Sequence, residues 1–154
     1  MDLIQAKAQM LIRSSVNEVF EAFTNPAITS QFWFTRGSAT LAPGAHVQWD
    51  WEMYGVSIPV DVKVLEPQQR IVIEWPGYGA LTQVTCTFTP HGTDATFVTI
   101  VNAGFSGDDA AIVSQALDAT EGFTLVLAGA KAWLEHGVRL NLVADHAPAG
   151  PLAE

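Results

Sequence analysis

Large aromatic side chains are the residues of this sequence best suited to hold a small molecule. The 154-residue chain has five Trp and eight Phe. Over 48–53, Trp49, Trp51 and Met53 alternate with polar residues, so a strand there would place two indoles on one face. Such side chains line ligand pockets, but they also fill cores or cover an oligomer interface on the outer face of a sheet. All three interpretations stay open.

The pocket interpretation joins these residues to apolar side chains elsewhere in the chain. Asn102 interrupts the apolar face of Val98 and Ile100, and a buried amide must bond either to the protein or to a ligand. Asn102 and Thr120 are therefore the groups expected to orient a ligand. The predicted lining comprises Trp33, Phe34, Trp49, Trp51, Met53, Trp75, Val84, Cys86, Val98, Ile100, Asn102, Thr120, Phe123 and Leu127.

The sequence contains no recognisable motif for binding a metal ion or for nucleophilic catalysis. No histidine pairs at ligand spacing with another histidine, a cysteine or a carboxylate, so we expect no metal. The four histidines are His46, His91, His136 and His146. The chain has no Gly-rich phosphate loop, nucleophile elbow or Cys-x-x-Cys, and we expect no cofactor.

Cys86 and the strand carboxylates are more readily explained by structure than by chemistry. Cys86 lies between Val84 and Phe88 on the same face of a predicted strand. A lone cysteine at such a position usually acts as a small hydrophobic residue. Acidic residues of neighbouring strands could form a strip, which is more often a solvated face. They are Asp50, Glu52, Asp61, Glu66 and Glu74. An enzyme would need a titratable group facing the pocket, where the predicted positions are almost all apolar.

Composition excludes several classes of protein. Apolar residues make up 49% and charged residues 15%, as in a folded domain rather than a disordered chain. A formal charge of −9 disfavours binding to nucleic acid or to an anionic membrane. No apolar run spans a bilayer, and residues 1–7 do not resemble a secretion signal. Because a single cysteine cannot form an internal disulfide, we expect a cytoplasmic protein. Because no apolar run is long enough to span a bilayer, we expect no membrane insertion.

The elements that position these residues follow from periodicity and turn signals. Alternation over 4–13 predicts a half-buried strand. Ser15 and Glu18 have capping-box spacing for a short helix, and Asn25-Pro26 ends it and starts a second. Short connections imply that the later strands are antiparallel neighbours. These strands are predicted over 45–53, 56–66, 71–75, 81–89 and 95–105.

A long helix is predicted after this sheet. Asp108 or Asp109 can cap it, and Gly137 is placed to end it after about His136. Its apolar stripe is Ile112, Ala116, Thr120, Phe123, Leu127, Ala130 and Leu134. A long amphipathic helix laid across an antiparallel sheet defines a two-layer α+β domain.

Two glycines inside this helix call for a reason. Gly122 and Gly129 each cost up to about 1 kcal/mol relative to alanine, so we expect a close approach or a cavity wall there. One domain is predicted over 1–143, followed by a flexible tail over 144–154.

Several motifs resemble bacterial proteins related to the activator of heat-shock-protein-90 ATPase. The segment 120–137 is similar to the end of those proteins, where Gly-Trp precedes leucines and Leu-Glu-x-Gly, and Phe123 stands at the tryptophan position. Asn102 stands at a position that is often polar in the family. The other matching motifs are Asn25-Pro26 before Trp33-Phe34, Glu66-Pro67 before Ile71 and Trp75, and Asn102-Ala103-Gly104-Phe105.

The resemblance implies the START-like, helix-grip fold, with a curved seven-stranded sheet around the C-terminal helix and an apolar cavity between them. It implies binding of a hydrophobic small molecule as the leading hypothesis. One alternative is a cyclase, dehydratase or hydrolase that uses the same cavity. Another is an interaction protein, either a homodimer or a chaperone regulator. The chaperone role is the weaker expectation, because eukaryotic members carry a further N-terminal domain for which 154 residues leave no room.

Overall fold

The computed structural model describes residues 4–150; residues 1–3 and the end of the predicted tail, 151–154, lie outside the described residues. The described chain forms seven strands and four α-helices. The strands are β1 (Ala6–Ile12), β2 (Arg36–Gly37), β3 (His46–Trp51), β4 (Val56–Glu66), β5 (Arg70–Gly77), β6 (Ala80–Pro90) and β7 (Thr96–Ala103). The helices are α1 (Val16–Thr24), α2 (Pro26–Thr29), α3 (Asp109–His136) and α4 (Leu142–His146).

The strands form one curved antiparallel sheet in the order β1-β7-β6-β5-β4-β3-β2. Helices α1 and α2 connect β1 to β2, and α3 lies across the sheet with its most extensive contacts on β1. This is the helix-grip arrangement, so the predicted fold class is confirmed. Within residues 4–150, no helix is long and apolar enough to cross a membrane.

The helix ends follow the predicted caps. Ser15 accepts a hydrogen bond from the Glu18 amide at the start of α1, and its hydroxyl donates to the Glu18 carboxylate. Asn25 caps α2, whose first residue is Pro26. Asp108 caps α3 by accepting from an amide of the first turn, which satisfies one of the unpaired donors there. Helix α3 ends at Gly137, which has φ of 65°, as favoured by glycine.

The structure corrects the sequence interpretation at three places. The strand predicted over 45–53 ends at Trp51, and Glu52–Tyr54 form a 3₁₀ turn. The prediction that Met53 continues the face of Trp49 and Trp51 is therefore wrong, and its side chain is 43% exposed. Strand β2 has only two residues, too few for a periodic pattern. Helix α4, Leu142–His146, lies where no helix was predicted.

Candidate ligand-binding cavity

A cavity of about 330 Å³ lies between the sheet and α3 and is partly open to solvent. Its walls come from β3, β4, β5, β7, the middle of α3, and α4. The described lining residues are Trp33, Trp51, Val56, Ile58, Trp75, Pro76, Gly77, Tyr78, Asn102, Asp118, Ala119, Gly122, Phe123, Val126, Val143 and His146. The volume falls at the small end of ligand sites, which typically measure about 300–1,000 Å³.

Four aromatic rings form one wall of the cavity. Trp33 follows α2, Trp51 ends β3, Trp75 lies on β5, and Phe123 lies on α3. Trp75 stacks on Phe123 at a centroid distance of 6.1 Å and meets Trp33 edge-on at 6.0 Å. Trp51 lies 6.3 Å from Trp75. Because each ring packs against another, the wall is held in place and presents a rigid apolar surface.

A second layer of rings supports this wall from the core. Trp49 is 2% exposed, stacks on Phe34 at 4.6 Å, and lies 4.9 Å from the Trp33 ring. Trp49 and Trp51 therefore share the inner face of the sheet, but only Trp51 reaches the cavity. The outer-face interpretation of these two indoles is wrong.

Asn102 places a buried amide at the cavity. It is 2% exposed, and its Nδ2 donates to Gln83 O at 2.9 Å and to Thr82 Oγ1 at 3.1 Å. Because a carbonyl oxygen only accepts, the bond to Gln83 fixes which end of the amide is nitrogen. No group within residues 4–150 donates a hydrogen bond to Oδ1. The amide thus bonds to the protein through nitrogen and keeps its oxygen as an acceptor.

The mouth of the cavity carries the ionisable side chains. Tyr78, in the turn between β5 and β6, donates its hydroxyl proton to Asp118 Oδ2 on α3 at 2.6 Å. Its ring packs edge-on against Phe105 at 5.8 Å. Tyr78 has φ of 58°, and this left-handed conformation turns the chain between the two strands. The hydroxyl therefore ties the β5–β6 hairpin to α3 beside the cavity.

Helix α4 contributes Val143 and His146 to the lining of the cavity. Tyr54 donates its hydroxyl to Val143 O at 2.7 Å, which anchors α4 to the 3₁₀ turn. Burial raises the pKa of the Tyr54 phenol, and the Asp145 carboxylate raises it further. His146 bonds through Nδ1 to the same Val143 carbonyl, so Nδ1 carries the proton.

The structure brings five of the predicted lining residues to this cavity: Trp33, Trp51, Trp75, Asn102 and Phe123. Phe34 and Met53 instead border a second cavity of about 190 Å³ beside α4. Thr120 bonds to Ala116 O at 2.7 Å, within its own helix. The other predicted lining residues lie in the packed core and are Trp49, Val84, Cys86, Val98, Ile100 and Leu127.

Cys86 has no reactive character in this setting. The side chain is 5% exposed, and burial raises the pKa of its thiol to about 12. The protonated thiol is a poor nucleophile, so Cys86 acts as the small hydrophobe that its position predicts.

The sequence interpretation missed most of the cavity mouth. Tyr78, Asp118 and His146 lie on a turn, at an exposed helix position and in a short helix, none of which has an apolar pattern. Gly122 was the one residue whose type indicated a cavity wall from the sequence. A Cβ built at Gly122 meets nothing within 4 Å, whereas one at Gly129 lies 3.2 Å from Phe32 Cβ. The two expected explanations, a cavity wall and a close approach, therefore apply to one glycine each.

Fold and cavity together define a helix-grip protein, and comparison with known proteins identifies its family. The model of the family described as activator of Hsp90 ATPase homolog 1-like protein matches residues 13–135. The chain belongs to this family. None of the curated protein sequences compared with it shows significant similarity.

Solved structures share the fold. A protein from Staphylococcus saprophyticus is 28% identical over 89% of this chain and 96% of its own, with a TM-score of 0.78. DynU16, described as a putative protein in the dynemicin biosynthetic locus, is 25% identical with a TM-score of 0.76; the match covers 88% of this chain and 48% of DynU16. The Aha1 dimer from Colwellia psychrerythraea is 16% identical over 88% of this chain and 98% of its own, with a TM-score of 0.73.

Proposed function

We propose that the protein binds a small apolar or aromatic molecule in the cavity between the sheet and α3. The observation that carries the proposal is a 330 Å³ cavity with one wall of four mutually packed aromatic rings. Burial would drive the binding, because each Å² of apolar surface removed from water contributes about 25 cal/mol. A ligand burying about 200 Å² would gain about 5 kcal/mol before entropic costs.

Asn102 would orient the ligand. Its carbonyl oxygen keeps acceptor capacity at a site where water is largely excluded, and a hydrogen bond there is worth more than one in solvent. Thr120, the second orienting group expected from the sequence, bonds to its own helix and is not part of this proposal.

A thermal-shift screen of small aromatic and aliphatic molecules tests the proposal. A ligand of the folded state present at a hundred times its Kd adds about 2.7 kcal/mol, which raises the Tm by about 5–10 °C. The proposal fails if a diverse library produces no shift.

A matched pair of variants locates the site. Gly122→Leu fills the cavity, because a Cβ there meets only open space. Thr124→Leu changes an exposed residue of the same helix outside the lining. We expect Gly122→Leu to abolish the ligand-induced shift and Thr124→Leu to retain it. A shift that survives in both variants would place the ligand elsewhere.

An enzyme of the cyclase, dehydratase or hydrolase type is a second candidate, favoured by the Tyr78–Asp118 pair at the mouth. The hydrogen bond of 2.6 Å joins an acid and a base beside the cavity. Similar structures include DynU16 and the di-domain ARO/CYC BexL, a biosynthetic-pathway protein. Turnover of an aromatase or cyclase substrate, followed by mass spectrometry, should be lost in Tyr78→Phe while the thermal shift remains. Absence of turnover in the unaltered protein rejects this candidate.

An interaction protein remains an alternative, either a homodimer or a chaperone regulator. Leu81 and Leu117 are 62% and 68% exposed, and the similar Colwellia protein is a dimer. Light scattering at increasing concentration tests dimerisation. The ATPase rate of a bacterial heat-shock-protein-90 homologue, with and without the protein, tests the chaperone role. A monomer without effect on the ATPase rejects both.

A further inference from the structure

We propose that the cavity selects ligands whose polar end is a protonated amine and rejects the corresponding carboxylates. This inference rests on the proposed ligand-binding function and adds the charge and hydrogen-bonding class of the ligand. It follows from the polar side chains of the lining, whose hydrogen bonds to the protein engage the donors of Asn102, Tyr78 and His146 Nδ1.

Asn102 and Tyr78 have already used their donors on the protein. Both Nδ2 bonds of Asn102 go to β6, through Thr82 and Gln83, which leaves Oδ1 for a ligand. The Tyr78 hydroxyl gives its proton to Asp118, so it has no proton left to donate to a ligand.

Asp118 and His146 are the other two polar side chains of the described lining. An ionised carboxylate only accepts, and Asp118 accepts from Tyr78 with capacity to spare. His146 uses its Nδ1–H on the Val143 carbonyl, so this donor is not available to a ligand. A ligand that meets Asn102 and Asp118 must therefore supply the hydrogen-bond donors.

Charge favours the same class of ligand. Asp118 is the one carboxylate in the described lining, and neither lysine nor arginine occurs among its sixteen residues. Three cations are engaged elsewhere: Lys63 with Glu74, Arg70 with Glu66, and Lys131 with Glu135. Arg139 borders the second cavity instead. A carboxylate in the main cavity would therefore lose hydration without gaining a cationic partner, which is costly.

The aromatic wall adds a direct attraction. The face of an indole ring is the best aromatic partner for an ammonium group, and three indoles line the cavity. An apolar molecule with an amino group can thus bury its hydrocarbon part while the ammonium meets indole faces and the Asp118 carboxylate. The formal charge of −9 on the chain also attracts a cation toward the mouth, an effect that salt screens.

Matched ligands test the selectivity. Calorimetry in about 150 mM salt would compare an ammonium, a hydroxyl and a carboxylate on each of three apolar frames: phenyl, naphthyl and indolyl, each with a two-carbon chain. We expect the ammonium of at least one frame to bind ten-fold or more tightly than its carboxylate. Carboxylates that bind as tightly as the ammonium ligands in every frame would overturn the inference.

Two variants that each remove one negative charge separate the effect of the Asp118 carboxylate at the cavity from the effect of the net charge of the whole chain. Asp118→Asn removes the charge at the mouth but keeps an acceptor for Tyr78. Asp94→Asn makes the same change in the exposed turn after β6, at the end of that strand away from the cavity. Asp118→Asn should reduce the preference to two-fold or less, and Asp94→Asn should leave it intact. Equal effects of the two variants would overturn the inference.

The hydroxyl series distinguishes the two levels of failure. If hydroxyl ligands bind but amines are not preferred, only the charge selectivity fails. If no member of any frame binds and the wider thermal-shift screen is also negative, the ligand-binding proposal itself fails.

Discussion

The two halves of α3 meet the rest of the protein in opposite ways. At Gly129, a Cβ would lie 3.2 Å from Phe32 Cβ and 3.4 Å from Phe32 O, so helix and loop are in close contact. Two turns earlier, Gly122 borders the cavity with nothing within 4 Å. The same residue type thus permits contact at one position and leaves space at the other. The cavity lies against the middle of α3, where Phe123 packs on Trp33 and Trp75, whereas the C-terminal half of the helix is in close contact with Phe32.

Polar contacts reinforce the anchored half. Lys131 Nζ donates to Leu11 O at 2.9 Å and to Glu135 Oε2 at 2.6 Å. The Arg13 amide donates to the same carboxylate oxygen at 2.7 Å. The Glu135 side chain is 10% exposed, so these bonds are better protected from solvent than surface pairs. They attach the end of α3 to β1.

The largest effect is expected at the contact of Gly129. Gly129→Leu forces a side chain against the Phe32 backbone, and overpacking of this kind should reduce the free energy of unfolding by about 3 kcal/mol. Urea denaturation measures the loss, with Gly122→Leu as the matched variant. Equal free energies of unfolding for Gly129→Leu and Gly122→Leu would contradict the conclusion that α3 is closely packed at Gly129 and borders open space at Gly122.

A smaller loss is expected when the polar anchor is neutralised. Glu135→Gln weakens two bonds to a largely buried group and removes the charge that faces Lys131, so the free energy of unfolding should fall by about 2 kcal/mol. Glu121→Gln, at an exposed position of the same helix, is the control and should change stability by less than about 0.5 kcal/mol. A loss no greater than that of the control would show that the anchor adds nothing.

The stabilisation from Glu135 should depend on pH in a defined direction. Burial opposes ionisation of Glu135, but bonds from Lys131 and the Arg13 amide, with the charges of Lys131 and His136, outweigh it and lower its pKa below 4.5. A carboxyl group whose pKa is lower in the folded than in the unfolded state stabilises the folded protein at pH values above its unfolded-state pKa. This stabilisation is lost as the pH falls through the folded-state pKa. The stability difference between the unaltered protein and Glu135→Gln should therefore be constant near neutral pH and shrink below 4.5. A difference that grows in acid would reverse the sign of this argument.

The smallest effect is expected at Gly122, with the opposite sign. Gly122→Leu replaces a poor helix former and places apolar atoms in the cavity, so it should raise the free energy of unfolding by about 1 kcal/mol. The same urea experiment measures it. A loss of stability comparable to that of Gly129→Leu would show that α3 is closely packed at this position as well.

Most of the fold was predictable from local patterns. The caps at Ser15, Asn25 and Asp108 lie where hydroxyl, amide and carboxylate side chains precede helical spacing, and all five of the later predicted strands match within two residues. The patterns failed where an element is too short for periodicity, as in β2 and α4. They also failed where alternation continues past the end of a strand, as at Met53.

The site was less predictable than the fold. Alternation identified Val84, Cys86, Val98 and Ile100 as inward-facing, and all four are buried. Periodicity reports which face of a strand a residue occupies, but it carries no information on the distance between that face and the helix above it. These four residues of β6 and β7 therefore form packed core, while Trp75 on β5 and Asn102 near the end of β7 reach the cavity.

Sequence alone was enough to predict a two-layer α+β domain, the inward face of the strands and the special status of two helical glycines, because these depend on residue type and local spacing. The helix-grip class followed from the resemblance to a known family. Tertiary structure alone established which glycine faces the cavity, which three tryptophans line it, and that Tyr78 and Asp118, 40 residues apart, meet at its mouth. Such pairings depend on how far α3 stands from the sheet. That distance follows from the packing of all the large side chains between the two layers, and no local pattern encodes it.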